Sequence, residues 1–191
     1  MVSLFIGRRK SGKTHRLLDS LTEAYRFYYD AIVIFSPTFL LDPEWRRLKK
    51  TRHLYVYLHY RDDVVGLIID WNSKRKKPWR ILIVADDCVN EEALYQSPNM
   101  QRVACNGRHL QISLMISAQK LTTIDTTVRT NFDQILFFYS SSRREIQNLR
   151  QDVDISDELI DYCTREKFSY LNAMNEGGRL QIWHSDKQRV Q

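Results

Sequence analysis

The run Gly7-Arg8-Arg9-Lys10-Ser11-Gly12-Lys13-Thr14 constrains this chain more than any other stretch. It follows the short apolar segment "VSLFI" and precedes a segment with apolar residues at near-helical spacing, Leu17, Leu18, Leu21, Ala24, Tyr25 and Tyr28. A glycine, four residues, then Gly-Lys-Thr, set between a strand and a helix, is the pattern of a phosphate-binding loop. The glycines let the backbone curl so that successive N–H groups point inward, and the helix that starts there adds its positive end. Gly7, Lys10, Ser11, Gly12, Lys13, Thr14 and His15 are therefore read as lining a nucleotide, ATP, with Lys13 reaching its terminal phosphates and the Thr14 hydroxyl holding Mg²⁺.

The rest of the chain supplies the sheet such a loop needs. "AIVIFSPT" predicts a buried strand ending in a Ser-Pro turn, and "LYVYL" another. Val64, Val65, Leu67, Ile68 and Trp71 suit a helix, which "SKRKKPW" ends. "RILIVADD" reads as a strand buried on both faces, and "ISLMISAQ" and "QILFFY" as two more. A short helix is expected over Asn99 to Asn106, one from Ser142 to Arg150, and one N-capped by Ser156 running through Tyr162. The last alternating runs meet at Gly177-Gly178, which predicts a terminal β-hairpin. Strands alternating with helices predict an α/β three-layer sandwich around a mostly parallel sheet, residues 1–191 forming one domain.

With 191 residues and 43% hydrophobic content the chain can bury one sizeable core. Its 29 Lys and Arg against 23 Asp and Glu, net charge +6, favour a polyanionic partner, nucleic acid first. Three widely spaced cysteines argue against a disulfide framework and for a reducing compartment. No apolar run reaches the roughly 18 residues of a membrane span, so no membrane partner is expected. Among the five histidines only His109 has a nearby cysteine, Cys105, and no second pair completes a zinc site. Tyr25, Phe27, Tyr28 and Tyr29 are read as helix and core packing.

Two further polar elements fall at strand ends, where an α/β sheet places its ligand. Asp86, closing "RILIVADD", is positioned to bind Mg²⁺, and Asp87 to polarise an attacking water. Gln119, closing "ISLMISAQ", would stand beside the terminal phosphate and orient water. A carboxylate after the metal aspartate, together with a polar sensor on the next strand, selects the additional-strand branch of P-loop ATPases. A small-molecule P-loop kinase would need an acceptor pocket and an arginine-bearing lid, which the region after Gln119 does not visibly supply.

In order, "GRRKSGKT", "ILIVADDC", "CNGRHLQISLMISAQ" and "VRTNFDQILFFY" resemble the poxvirus-type genome-packaging ATPases of large eukaryotic DNA viruses, within the FtsK–HerA superfamily. The resemblance covers roughly Met1 to Tyr139. It implies an oligomeric ring, pentameric or hexameric, that hydrolyses ATP and moves double-stranded DNA into a preformed capsid, with capsid or portal proteins as partners. Such a ring works inside the host cell at the assembly site and can remain with the virion. The resemblance also implies an arginine donated to the neighbouring subunit's site, for which Arg108 in "NGRH" is the first candidate, ahead of Arg129 and Arg102. Many superfamily members carry Glu where this chain has Asp87.

The basic runs "SKRKKPWR" and "WRRLKKTR" are candidate phosphate contacts for DNA, the first expected at the amino edge of the sheet. The alternatives to a motor are the kinase and an ATP-dependent assembly switch that binds without turnover.

Overall fold

The computed structural model describes all residues except 26, 49–52, 89–91, 139–141, 167, 177–178 and 185–191, and for 24, 92, 93 and 163 it describes the backbone alone. Eight strands form one sheet in the order β3-β2-β4-β5-β1-β6-β7-β8. They are β1 Val2–Ile6, β2 Ala31–Phe35, β3 Leu54–Tyr57, β4 Ile81–Asp86, β5 Ile112–Ala118, β6 Gln134–Phe138, β7 Tyr170–Glu176 and β8 Arg179–His184. The first six run parallel, and β7 and β8 pair antiparallel beyond β6.

The predicted strands fall where the apolar runs lie, because β1, β2 and β4 are buried along their whole length. A strand covered on both faces needs no alternation, and a continuous aliphatic run is what it shows. Alternate residues go to opposite faces. Leu4, Ile6, Val33, Ile83 and Ile116 enter one core with Val65 and Ile69 of helix α2 (Asp62–Ser73) and Met100 and Val103 of helix α4 (Pro98–Leu110). Phe5, Ile34, Leu82, Val84 and Met115 enter the other with Leu17 and Leu18 of helix α1 (Lys13–Asp19) and with Trp45 of a 3₁₀ turn, Pro43–Leu48. The layers are helix, sheet, helix, and β5 lies between β1 and β4, which is the additional strand expected from the motifs.

The remaining helices are α3 Glu92–Tyr95, α5 Thr126–Thr130, α6 Arg143–Asp152 and α7 Asp157–Thr164. Ser156 caps α7 as expected, accepting from the Leu159 N–H. Helices α3 and α5 are each a turn or so long and were not expected; α5 is held by Asp125, which accepts from the N–H groups of Thr127 and Val128.

Two expectations need correction. The helix after the P-loop stops near Ala24 rather than Tyr29, because Ser20 and Thr22 hydrogen-bond back to the carbonyls of Arg16 and Leu18 and the chain widens into a π turn, Ser20–Ala24, closed by Tyr25 N–H to Ser20 O. The aromatic cluster after it is only partly core. Tyr25 and Tyr29 pack on the second core, while Phe27 is 85% exposed and Tyr28 51%. The terminal strands form the expected antiparallel pair, and Gly177 and Gly178 at its turn lie outside the described residues, as do Lys49, Lys50 and Arg52. Cys88 is buried, Cys105 is exposed and neither forms a disulfide. No helix among the described residues is long and apolar enough to cross a membrane.

Candidate nucleotide-binding site

β1 ends at Ile6, and the Gly7 N–H bonds to the Ala118 carbonyl at the end of β5 (3.1 Å). A Cβ on Gly7 would stand 2.7 Å from the Cβ of Phe138 and 2.9 Å from the Ser11 hydroxyl, so only glycine fits between β6 and the loop. The loop then takes two left-handed residues, Lys10 (φ 61) and Gly12 (φ 97), the latter capping α1. Alternation of right- and left-handed residues turns consecutive N–H groups to one concave side, an anion-binding nest at a helix N-terminus.

Lys13 is buried, and its Nζ donates to the Arg8 carbonyl across the loop (2.8 Å). Burial lowers its pKa, opposed by the charges of Asp86 and Asp87. The Ser11 hydroxyl is buried inside the loop and makes no hydrogen bond. A buried donor and a desolvated cation facing a nest are the chemistry of a polyanion cradle.

Asp86 ends β4 opposite Ser117 of β5. Thr14 Oγ1 stands 3.4 Å from both Asp86 oxygens, against roughly 2.7–2.8 Å for a good hydroxyl–carboxylate bond. Burial pushes the Asp86 carboxyl up to about 6, the Ser117 hydroxyl pulls it down and the charge of Asp87 raises it again. Two hard oxygen ligands side by side, one a buried carboxylate lacking full charge compensation, suit a divalent cation such as Mg²⁺. Asp87 follows in the left-handed region (φ 54) and accepts from Gln119 Nε2 (3.4 Å). A non-glycine residue held there is sparsely populated, and such residues cluster at functional sites.

Thus Gly7, Ser11, Gly12, Lys13, Thr14, Asp86, Asp87 and Gln119 converge at the carboxyl ends of β1, β4 and β5. His15 faces outward and pairs with Glu44 (3.0 Å) of the 3₁₀ turn. Lys10 lies on the loop's shoulder, lining with Arg8, Arg9 and Ser11 a cavity of about 350 Å³ closed by Arg165, Glu166, Phe168 and Ser169. That second wall was missed by sequence reasoning. Phe168 is half exposed and left-handed (φ 70), with its ring 3.4 Å from where a Cβ on Gly12 would be, and no motif marks it.

The three arginines divide differently. Arg108, 82% exposed, pairs with Asp133 (2.7 Å) at the amino ends of β1 and β6, about 17 Å of strand away from its own P-loop. Arg129 stands 3.2 Å from Asp152 in a largely buried contact, and neither atom of that contact makes a hydrogen bond. Arg102 pairs with exposed Asp70 (3.6 Å). Among the described residues no group of three or more His, Cys, Asp and Glu could hold a metal.

A family profile described as Poxvirus A32 protein matches residues 2–164. The chain belongs to that family. It is 27% identical over 105 residues to uncharacterized protein 075L of Invertebrate iridescent virus 6, and 22% identical over 139 residues to uncharacterized protein 015R of Frog virus 3 (isolate Goorha). These matches cover 50% and 70% of this chain and 39% and 42% of those proteins, so the chain spans well under two thirds of their length. Among solved structures, the genome packaging NTPase B204 from Sulfolobus turreted icosahedral virus 2 in complex with AMP is similar at TM-score 0.73 and 17% identity, covering 100% of this chain and 98% of that one. The pCW3 conjugation coupling protein TcpA with ATPγS is similar at TM-score 0.67 and 13% identity, covering 96% and 59%. At these identities the likeness establishes the fold.

Proposed function

We propose that this A32-family chain is an ATPase motor that drives double-stranded DNA into a viral capsid. One observation carries the reading: the phosphate loop, the Asp86-Asp87 pair and Gln119 meet at one sheet edge, with the sensor strand β5 inserted between loop and aspartates. Membership of the A32 family supports it, and so does the whole-length likeness to a genome packaging NTPase.

In this reading the loop N–H groups and Lys13 hold the β- and γ-phosphates, and Thr14 and Asp86 hold Mg²⁺, which when bound neutralises charge on the phosphate oxygens. Asp87 accepts a proton from the attacking water and Gln119, bonded to Asp87, orients both. Between Gln119 and β6 the sequence has one arginine, Arg129, already placed against Asp152, so an arginine-bearing kinase lid has no source there. Gln119→Ala is expected to slow hydrolysis by about 100-fold while ATP affinity changes little. Equal losses in rate and binding would remove the sensor role.

The same proposal makes the working form a homo-oligomeric ring, of five or six copies, that engages capsid or portal proteins inside the infected cell. Arg108 cannot serve its own P-loop from the amino edge, so its role would be toward a neighbour. The deciding experiment is the steady-state rate with Mg²⁺, with and without duplex DNA, over a range of protein concentrations. A rate per subunit that rises with both is expected, and mixing Lys13→Ala with Arg108→Ala subunits should recover activity above either alone. Indifference to DNA and concentration would sink the motor reading; phosphate transfer to a nucleoside monophosphate would establish the kinase, and binding without turnover the switch.

A further inference from the structure

Helix α2 carries two apolar stripes. Val65, Ile69 and Asn72 form the buried one, and the Asn72 amide is fully used by Trp79 and Leu110 backbone groups. Val64, Leu67, Ile68 and Trp71, at helical spacing i, i+3, i+4 and i+7, form the second; Val64 and Ile68 lean on the core margin, while Leu67 and Trp71 stand out toward solvent. It faces Tyr55 and Tyr57 of the edge strand β3 across a cavity of about 460 Å³, floored by the first residues of β2 and β4. Leu67 is 67% exposed, and Tyr55 and Trp71 are about half exposed. A helix stripe and a strand face of this apolar character, left open to water together, mark an interaction site.

The rim at the lower end of this groove is basic. Arg75 lies over the rings of Trp71 (4.3 Å) and Trp79 (5.1 Å), so its guanidinium is held on the groove wall. Among the described residues Lys74, Arg75, Lys76 and Lys77 make no ion pair, whereas three nearby acids do, Asp70 with Arg102, Asp63 with Arg61 and Asp30 with Arg80, and Asp62, at the far end of α2, is taken up by Tyr60, Ser97 and Asn99. The uncompensated charge of the connection from α2 to β4, which joins the cavity-lining Trp71 to Trp79, is therefore positive.

We propose that this groove docks an acidic amphipathic helix of a partner protein, its apolar residues filling the space between β3 and α2 and its carboxylates meeting Lys74 to Lys77. The two halves of the surface argue against duplex DNA. Duplex DNA would satisfy the lysines but gain nothing from covering Leu67, Trp71 and Tyr55. A second copy of this chain, net charge +6, is the competing occupant, and a peptide site that closes as protein concentration rises would reveal it and overturn the proposal. Only a segment that is apolar on one face and acidic on the other satisfies both, in the manner of helix-in-groove recognition. The proposal is independent of the nucleotide site, which lies at the opposite ends of the strands.

The test uses a synthetic helical peptide with Leu and Phe at i, i+3, i+4 and i+7 and Glu elsewhere, its Lys-for-Glu counterpart, and duplex DNA, titrated against the intact protein by fluorescence anisotropy. The Glu peptide is expected to bind and the Lys peptide not. Leu67→Asp, at an exposed position, should weaken the Glu peptide at least tenfold while leaving the basal ATPase rate and the salt dependence of DNA binding unchanged. The Lys74→Glu/Lys76→Glu/Lys77→Glu variant should reverse the preference between the peptides. The proposal is overturned if the Glu peptide binds more weakly than about 1 mM, if Leu67→Asp leaves its affinity unchanged, or if the triple variant alters DNA binding alone.

Discussion

Lys13→Ala is expected to lower ATP hydrolysis by about 1,000-fold, with folding intact. The ammonium is buried against the loop, donates to the Arg8 carbonyl and stands within the field of Asp86 and Asp87. Loss of one preorganised donor aimed at transition-state charge typically costs about 100- to 1,000-fold, and here the donor is also the one cation buried within the loop. Burial already opposes its charge, so alanine at the first turn of α1 removes a desolvated group and adds a strong helix former. A thermal melt within a few degrees of the parent, beside an abolished rate, is the expected pair of results. A variant that keeps its rate would mean that the loop does not hold the reacting phosphates.

Asp86→Asn is expected to separate stability from activity still more sharply. The carboxyl is 1% exposed, and burial lifts it from its ordinary value of 3.8 to about 6. A folded-state value above the unfolded one means that the stability contributed by the protonated form is complete below pH 3.8 and is lost as pH rises through about 6. Without nucleotide or divalent cation, the parent should therefore lose stability across that window, by up to about 3 kcal/mol for a shift of this size. Asparagine keeps the shape and carries no charge, so the variant should melt higher than the parent at pH 7.5 in EDTA and show a flatter profile from pH 4 to 7. With Mg²⁺ and ATP its rate should fall by about 1,000-fold, because a neutral amide is a poor ligand for a hard cation. A variant less stable than the parent at pH 7.5 would mean that the carboxylate is compensated in the metal-free protein.

The sheet was legible because a strand covered on both faces must be written in continuous aliphatic residues, and Ile81 to Ala85 is written that way, with Ile112 to Ile116 broken only by Ser113. The P-loop was legible because Gly7 and Gly12 answer to sterics that no other residue meets, one to Phe138 and one to a left-handed φ. The end of α1 was not, since the apolar spacing continues through Tyr28 while the hydroxyls of Ser20 and Thr22, which break the ladder, look like ordinary helix residues. Phe168 escaped for a different reason: its place beside Gly12 comes from α7 and β7 folding back across β6, a contact that no local pattern encodes. The open stripe of α2 escaped because Val64 and Val65 are indistinguishable by hydropathy, and only the sheet decides which one is covered.

The position of β1 has a consequence for biosynthesis. Its neighbours are β5 and β6, with Val2 opposite Leu114 and Ser3 opposite Gln134, so this strand waits for partners more than a hundred residues downstream. Until then the phosphate loop has neither Ala118 to hold Gly7 nor Phe138 to shape it. Such non-local pairing is slow and leaves apolar strands uncovered while it is pending. Synthesis must therefore pass Phe138 before the loop has its walls, and ATP can stabilise this sheet only once β5 and β6 have joined β1.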